Sequence, residues 1–322
     1  MRDLIRLTRP LNLLIVVLTM VVMRYGVIGG WLSITPWRGW VWPIMGTERP
    51  VFALSHILFS LLVASTVLIM AGGNVINDYF DTRIDRVNKP HGVIVGRSVK
   101  RRVAMAVHWA LSGTGLLIGL FVAWRTHQLK LAIIPVFAVG ALWFYSTTFK
   151  RQLLIGNGLV ATLSALVPLL VGLYEIPALE HALTATPVDF RSLWWWVLGY
   201  SAFAFASALL RELQKDMADV RGDAAAGCRT VPIAWGMKAA RLLVAFWAMI
   251  IIVAVGLLAD RVFTDLVSRI YLYALVIVPI LIACILTWNA RNRDQHNRAG
   301  NMMKLAMVFA VAFGAVYPWL IA

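Results

Sequence analysis

The chain has 322 residues, 61% of them hydrophobic, with a mean hydropathy of +0.78. A soluble domain is nearer half apolar, so a soluble globular fold is excluded and a polytopic membrane protein is implied. The formal charge of +15, from 30 Lys and Arg against 15 Asp and Glu, would suit a nucleic-acid binder, but the placement of the charges argues against such a partner.

Runs of about 20 apolar residues match a hydrocarbon core of about 30 Å. In chain order the sequence offers nine: 11–30, 52–76, 103–123, 130–148, 153–174, 192–213, 240–258, 268–288 and 301–321. Each is predicted to be a helix, because a helix satisfies its backbone polar groups internally where water is absent. The N-terminus and the segments after the second, fourth, sixth and eighth runs hold 22 of the 30 Lys and Arg. By the positive-inside tendency that face is cytoplasmic, with the N-terminus inside and the C-terminus outside. The basic excess is therefore a topology signal in a protein of the cell or inner membrane, surrounded by membrane lipids.

Arg2, Arg6 and Arg9 precede the first run as in a signal peptide, but no small-residue cleavage site follows and a retained helix is expected. The two cysteines, Cys228 in a cytoplasmic loop and Cys284 within a span, are not expected to pair. "GGWLSITPWRGWVWPIMG" (29–46) and "RSLWWWVLG" (191–199) read as aromatic anchors at the outer interface. Arg24 is expected to snorkel toward that interface, Glu175 to be solvated there, and His56 and His108 to be interfacial.

The informative pattern is a repeat. "NDYFDTRID" (77–85) and "KDMADVRGD" (215–223) both spell D-x2-D-x3-D, with Arg two residues before the last Asp. The first aspartates lie 138 positions apart and each stretch follows an even-numbered span, so both face one side of the membrane. One domain over 1–322 is expected. Within it, a parallel pseudo-repeat over about 1–148 and 149–288 would be followed by a last helix, 301–321.

On a helix, offsets of three, four and seven fall on one face. Asp78, Asp81 and Asp85 can therefore converge, as can Asp216, Asp219 and Asp223. Like charges at those spacings oppose the helix unless a cation neutralises them. Mg2+ suits such a site, since it takes a few carboxylates together with substrate phosphate oxygens. Two such triads imply a diphosphate held through metal, with apolar residues of the adjoining helices receiving its tail. The chemistry implied is ionisation of an allylic diphosphate and transfer of the prenyl group. Glu212, one turn before Asp216, is a candidate supporting or acceptor contact.

On "NDYFDTRID", "KDMADVRGD", "GCRTVPIAWG" (227–236), "YSTTFKRQLLIGN" (145–157) and "RPLNLL" (9–14), the chain resembles the UbiA superfamily of intramembrane prenyltransferases. The resemblance covers nearly the whole chain. It implies an all-α fold of nine transmembrane helices around a central cavity, capped by the two Asp-bearing cytoplasmic loops. It also implies Mg2+ as cofactor, a polyprenyl diphosphate donor and a lipophilic acceptor. Carried onto this sequence, it makes Asn77, Asp78, Asp81 and Asp85 one metal-binding set and Asp216, Asp219 and Asp223 the other. It places Tyr145, Ser146 and Lys150 at the diphosphate, and brings Asn12 to the cavity. Relatives commonly read N-x-P-x-R after the first motif, and Gly92 stands where that Arg is usual. Either Lys89, Arg97 or His91 is expected to supply the charge, or the acceptor pocket differs there.

The wording of the motifs is most similar to the branch that prenylates geranylgeranylglyceryl phosphate, which is close to chlorophyll synthase. Aromatic quinone precursors of the hydroxybenzoate or dihydroxynaphthoate type are the alternative acceptors. A secondary transporter is the rival outside enzymes. Against it, seven of the 15 acids gather at one face rather than at mid-membrane.

Overall fold

The computed structural model describes residues 2–34, 52–90, 92–182 and 190–320. His91 and most of the aromatic stretch 29–46 therefore lie outside the described residues. Among those described there is no strand, only an isolated bridge between Val95 and Val99. Among the described residues, nine helices are long and apolar enough to cross a membrane: Pro10–Leu32, His56–Phe80, Arg101–Arg125, Leu129–Thr147, Ile155–Ala182, Phe190–Ala225, Gly236–Val262, Leu266–Asn289 and Arg293–Tyr317. Exposed Leu117, Leu129, Leu257 and Ile285 suit a lipid solvent rather than water. The protein is an integral membrane protein.

Two compact units form, and neither follows the order of the chain. The first comprises 1–17, 54–159 and 219–237. In it the second and third spans meet along small residues, as membrane helices do when backbones approach closely. A Cβ at Gly115 would fall 2.9 Å from the Ser65 carbonyl oxygen, and Ser65 Oγ donates to the Gly115 carbonyl at 2.6 Å. Two turns from that contact, His108 is buried against the Gly72 carbonyl, with Nδ1 at 3.0 Å, and its ring lies beside Trp109 and Trp143. His108 faces the protein interior near the start of its helix, where a carbonyl on the neighbouring span gives its ring nitrogen a partner. His56, at the start of its helix, is exposed. The segment after the short helix Thr82–Asn88 turns at Gly96, whose φ is +82°. It packs Val95 and Val99 onto Leu7, Val75 and Ala104.

The second unit comprises 18–53, 160–218 and 238–322. Here the first and ninth spans touch backbone to backbone: a Cβ on Gly26 would lie 2.4 Å from the Gly314 carbonyl oxygen. The first span widens into a π-helical stretch, Val22–Ile28, that carries Arg24. Arg24 does not snorkel, and Glu175 is not solvated. Both side chains are fully buried with Nε and Oε1 2.8 Å apart. The guanidinium lies 4.5 Å from the centre of the Phe52 ring, and Glu175 Oε2 accepts from the Ala53 amide at 2.8 Å. Two opposite charges at matched depth neutralise each other, which removes the reason for either to seek water. Trp195 is exposed at the start of the sixth span, as an anchor would be, whereas Trp196 packs on Phe263 and Tyr317. Cys228 and Cys284 are free thiols.

Candidate active site

Both acidic stretches are helical, which gives their spacing its meaning. The second span ends at Phe80, Asp81 caps it, and a second short helix, Thr82–Asn88, starts at once. Asp78, Asp81 and Asp85 therefore follow one another at about one turn across the junction. The second stretch lies wholly within the sixth span's helix, which continues to Ala225. Asp219 and Asp223 belong to the first unit, and Asp216 lies one turn earlier on the same helix.

Within the first unit the first stretch's aspartates face cations from two other segments and from the end of their own short helix. Arg9 Nη2 lies 2.6 Å from Asp78 Oδ1. Lys150, nearly buried, bonds Asp81 Oδ1. Lys89 Nζ stands 3.9 Å from Asp85 Oδ1 and is largely open to solvent. Arg9 and Lys150 reach these places through local backbone constraint. Arg9 has a φ of 55° at the break between the helix Arg2–Leu7 and Pro10, and Leu154, after Lys150, has a φ of 61°. Non-glycine residues adopt such angles only when their surroundings impose them. Arg101 supports the junction by donating to Thr82 Oγ1 at 3.2 Å and lying 4.2 Å from the Tyr79 ring centre. Asn74 Nδ2 donates to the Thr8 carbonyl at 3.0 Å.

The carboxylates feel one another. Burial pushes the Asp85 carboxyl above its usual range; Lys89 opposes this, and the neighbouring Asp81, Asp78 and Asp219 add to it. Burial likewise raises the Cys228 thiol, with Asp223 and Asp81 pushing it up and Arg151 and Lys150 pulling it down. Both acidic stretches thus act on the same few groups.

The other expected site residues are dispersed. Asn77 is buried and its Oδ1 has no hydrogen-bond partner. Ser146 is buried but donates to the Leu142 carbonyl. Tyr145 is half-buried one residue before it, and Asn12 is half-buried on the first span. Arg97 stands exposed on the turn at Gly96, and among the described residues no bond joins it to an aspartate. Glu212, buried in the second unit, is held by Arg211 at 3.0 Å and Lys215 at 3.2 Å. Sequence reasoning missed Arg9, Arg101 and Asn88. Arg9 opens the quoted "RPLNLL" and Asn88 is the Asn of the N-x-P-x-R position, so a place within a motif was the one signal available.

A divalent ion is implied by this chemistry, and the donor set fits one. The acids are oxygen ligands of the kind Mg2+ takes, Asp85 is destabilised by its acidic neighbours, and Asn77 Oδ1 is a buried oxygen lacking a partner. Among the described residues no three acidic, His or Cys side chains stand at metal-binding distances. Arg9 and Lys150 hold two of the carboxylates, so cations already occupy part of the donor set.

A membrane-embedded helical protein with paired aspartate stretches ringed by cations defines the class: an intramembrane enzyme acting on a charged group. The UbiA prenyltransferase family model matches residues 39–309. The chain belongs to that family and is a prenyltransferase rather than a transporter. It is 29% identical over 274 residues to the digeranylgeranylglyceryl phosphate synthase of Thermococcus kodakarensis, covering 83% of this chain and 88% of that one. The synthase of Methanoregula boonei is 39% identical over 183 residues, 57% of this chain and 59% of that one. Among solved structures, the apo UbiA homolog of Aeropyrum pernix K1 has a TM-score of 0.60 at 15% identity, covering 93% and 97% of the two chains. The UbiA homolog of Archaeoglobus fulgidus bound to GPP and Mg2+ has a TM-score of 0.54 at 18% identity, covering 96% and 98%. These likenesses show the fold.

Proposed function

We propose that the protein transfers a geranylgeranyl group from its diphosphate to the free hydroxyl of geranylgeranylglyceryl phosphate, with Mg2+ required. The observation that carries this reading is the juxtaposition of the two acidic stretches: Asn88, three residues after Asp85, bonds the Asp219 carbonyl at 3.0 Å and the Gly222 amide at 2.9 Å, which supports one shared site for a divalent cation and a diphosphate. The names of the Thermococcus and Methanoregula relatives support the acceptor, and the GPP and Mg2+ bound to the Archaeoglobus homolog support donor and metal.

Asp78, Asp81 and Asp85 with Asn77 form one ligand set, and Asp216, Asp219 and Asp223 the other. Mg2+ supplies charge neutralisation to the leaving diphosphate. Lys150 and Arg9 share that task, turning from their aspartates to phosphate oxygens, while Lys89, Tyr145 and Ser146 complete the diphosphate contacts. Arg97 extends the basic surface and Asn12 faces the prenyl chain. The allylic C–O bond breaks with its electron pair leaving on the diphosphate. The acceptor oxygen then bonds to the allylic carbon and loses its proton, giving an ether. Apolar spans keep water from capturing the cation.

The concentration of Lys and Arg around the acidic stretches supports an active site at the cytoplasmic face, with the C-terminus outside. The repeated acidic spacing supports a parallel duplication within a single domain.

The deciding experiment incubates the purified protein with Mg2+, radiolabelled geranylgeranyl diphosphate and a panel of acceptors. Digeranylgeranylglyceryl phosphate is the expected product. A labelled aromatic product, or no transfer to the glyceryl phosphate, would overturn the acceptor.

A further inference from the structure

We propose that Asn88 is the positioning residue that fixes the gap between the two acidic stretches, and that residue 222 is glycine in order to admit it. The geometry stands alone; its purpose rests on the diphosphate reading above. Asn88 closes the short helix three residues after Asp85. Its Nδ2 donates to the Asp219 carbonyl at 3.0 Å, and its Oδ1 accepts from the Gly222 amide at 2.9 Å. One planar amide is thus bonded at both ends to a single turn of the opposing helix. No other side chain of this size offers a donor and an acceptor at that separation. Asp lacks the donor, and Gln would carry the amide one carbon too far.

Gly222 supplies the second half of the argument. It lies inside a helix, where glycine costs about 1 kcal/mol relative to alanine, and its φ is not positive. Backbone conformation therefore does not require glycine there. Space does: a Cβ would sit 2.4 Å from Asn88 Nδ2 and 2.6 Å from Cγ. The helix accepts a weaker residue so that the amide can lie against it.

A neutral clamp is what this place needs. Asp85 stands on one side of the gap and Asp219 and Asp223 on the other, and like charges facing one another repel. An ion pair across the gap would hold the two stretches only by consuming a carboxylate. The amide bonds backbone atoms and itself consumes no carboxylate. A separate brace, Arg229 N–H to the Arg151 carbonyl at 2.9 Å, ties the segment after the second stretch to the one that carries Lys150, backbone to backbone. It survives side-chain substitution, so loss of Asn88 should loosen the gap without unfolding the unit.

The test combines geometry with ligand binding. Spin labels at exposed Val87 and Ala225, in a Cys228→Ser/Cys284→Ala background, report the gap as a distance distribution; binding of inorganic pyrophosphate in Mg2+ reports its use. Asn88→Ala should broaden the distribution and weaken pyrophosphate binding about tenfold or more, with the melting temperature unchanged. Gly222→Ala should do the same, and the double variant should be no worse than either single one, since both remove one contact. Asn88→Asp, which keeps only the Gly222 bond, should fall between and serves if Asn88→Ala does not fold. An unchanged distribution, parent-like pyrophosphate affinity or additive losses would overturn the proposal. If the parent protein itself binds no pyrophosphate with Mg2+, the diphosphate reading falls instead, and the distance distribution alone judges the clamp.

Discussion

Arg24 Nε and Glu175 Oε1 lie 2.8 Å apart with both side chains entirely out of solvent, one in the first span and the other in the fifth. Removing either partner strands a charge in a low-dielectric interior, at a cost of about 3–5 kcal/mol. Arg24→Met or Glu175→Leu should therefore lower the detergent melting temperature sharply. The double variant, which strands nothing, should recover most of the loss. Thermal denaturation of the three variants checks this; equal losses in singles and double would refute it.

Neither acidic stretch should be dispensable. Asp78→Ala and Asp216→Ala are each expected to lower transfer by about three orders of magnitude or more, while the parent melting temperature is kept. EDTA should abolish turnover of the parent, and Mg2+ should restore it. Near-normal turnover of either variant sinks the metal-site assignment.

The two cations should act on substrate rather than on stability. Lys150→Met frees Asp81 and removes a positive charge, so donor binding should weaken by about tenfold or more at unchanged fold. Arg9→Ala should act in the same direction and less strongly, because Arg9 is more exposed than Lys150. Donor titration of both variants gives the comparison, and the prediction fails if only stability changes.

Glycines should divide by what faces them. Gly26→Ala would push a methyl into the Gly314 backbone and cost about 1–3 kcal/mol. Gly113→Ala meets nothing within 4 Å and should stabilise by up to about 1 kcal/mol through helix propensity alone. Melting of the two variants side by side isolates close packing from helix propensity.

Hydropathy made the spans legible, because each carries its own transfer energy locally. It lost their ends where polarity rises while the helix continues. "KDMADVRGD" ends an apolar run at 213, yet the helix proceeds to Ala225; the ninth helix likewise begins at Arg293 rather than 301. The six aspartates were legible for the same local reason, a spacing that means something only on a helix. Their counter-ions were not. With 22 Lys and Arg on the same face, sequence offers no means of choosing Arg9 over Arg97. Arg9 reaches Asp78 through a left-handed backbone angle, and the chain folds back to set the Arg24–Glu175 pair across 151 positions. Such distances in sequence carry no pattern.

The sixth helix has 36 residues and rises about 54 Å, well beyond a hydrocarbon core of about 30 Å. Its terminal acids therefore stand in the aqueous layer while its first half lies in lipid. The reaction is thereby split between two phases. On the proposed reaction, the released diphosphate departs into water, and the product, with a second hydrocarbon chain, stays in the bilayer. Partition between the phases separates the products as they form and opposes reversal, with no gate or lid needed for that purpose.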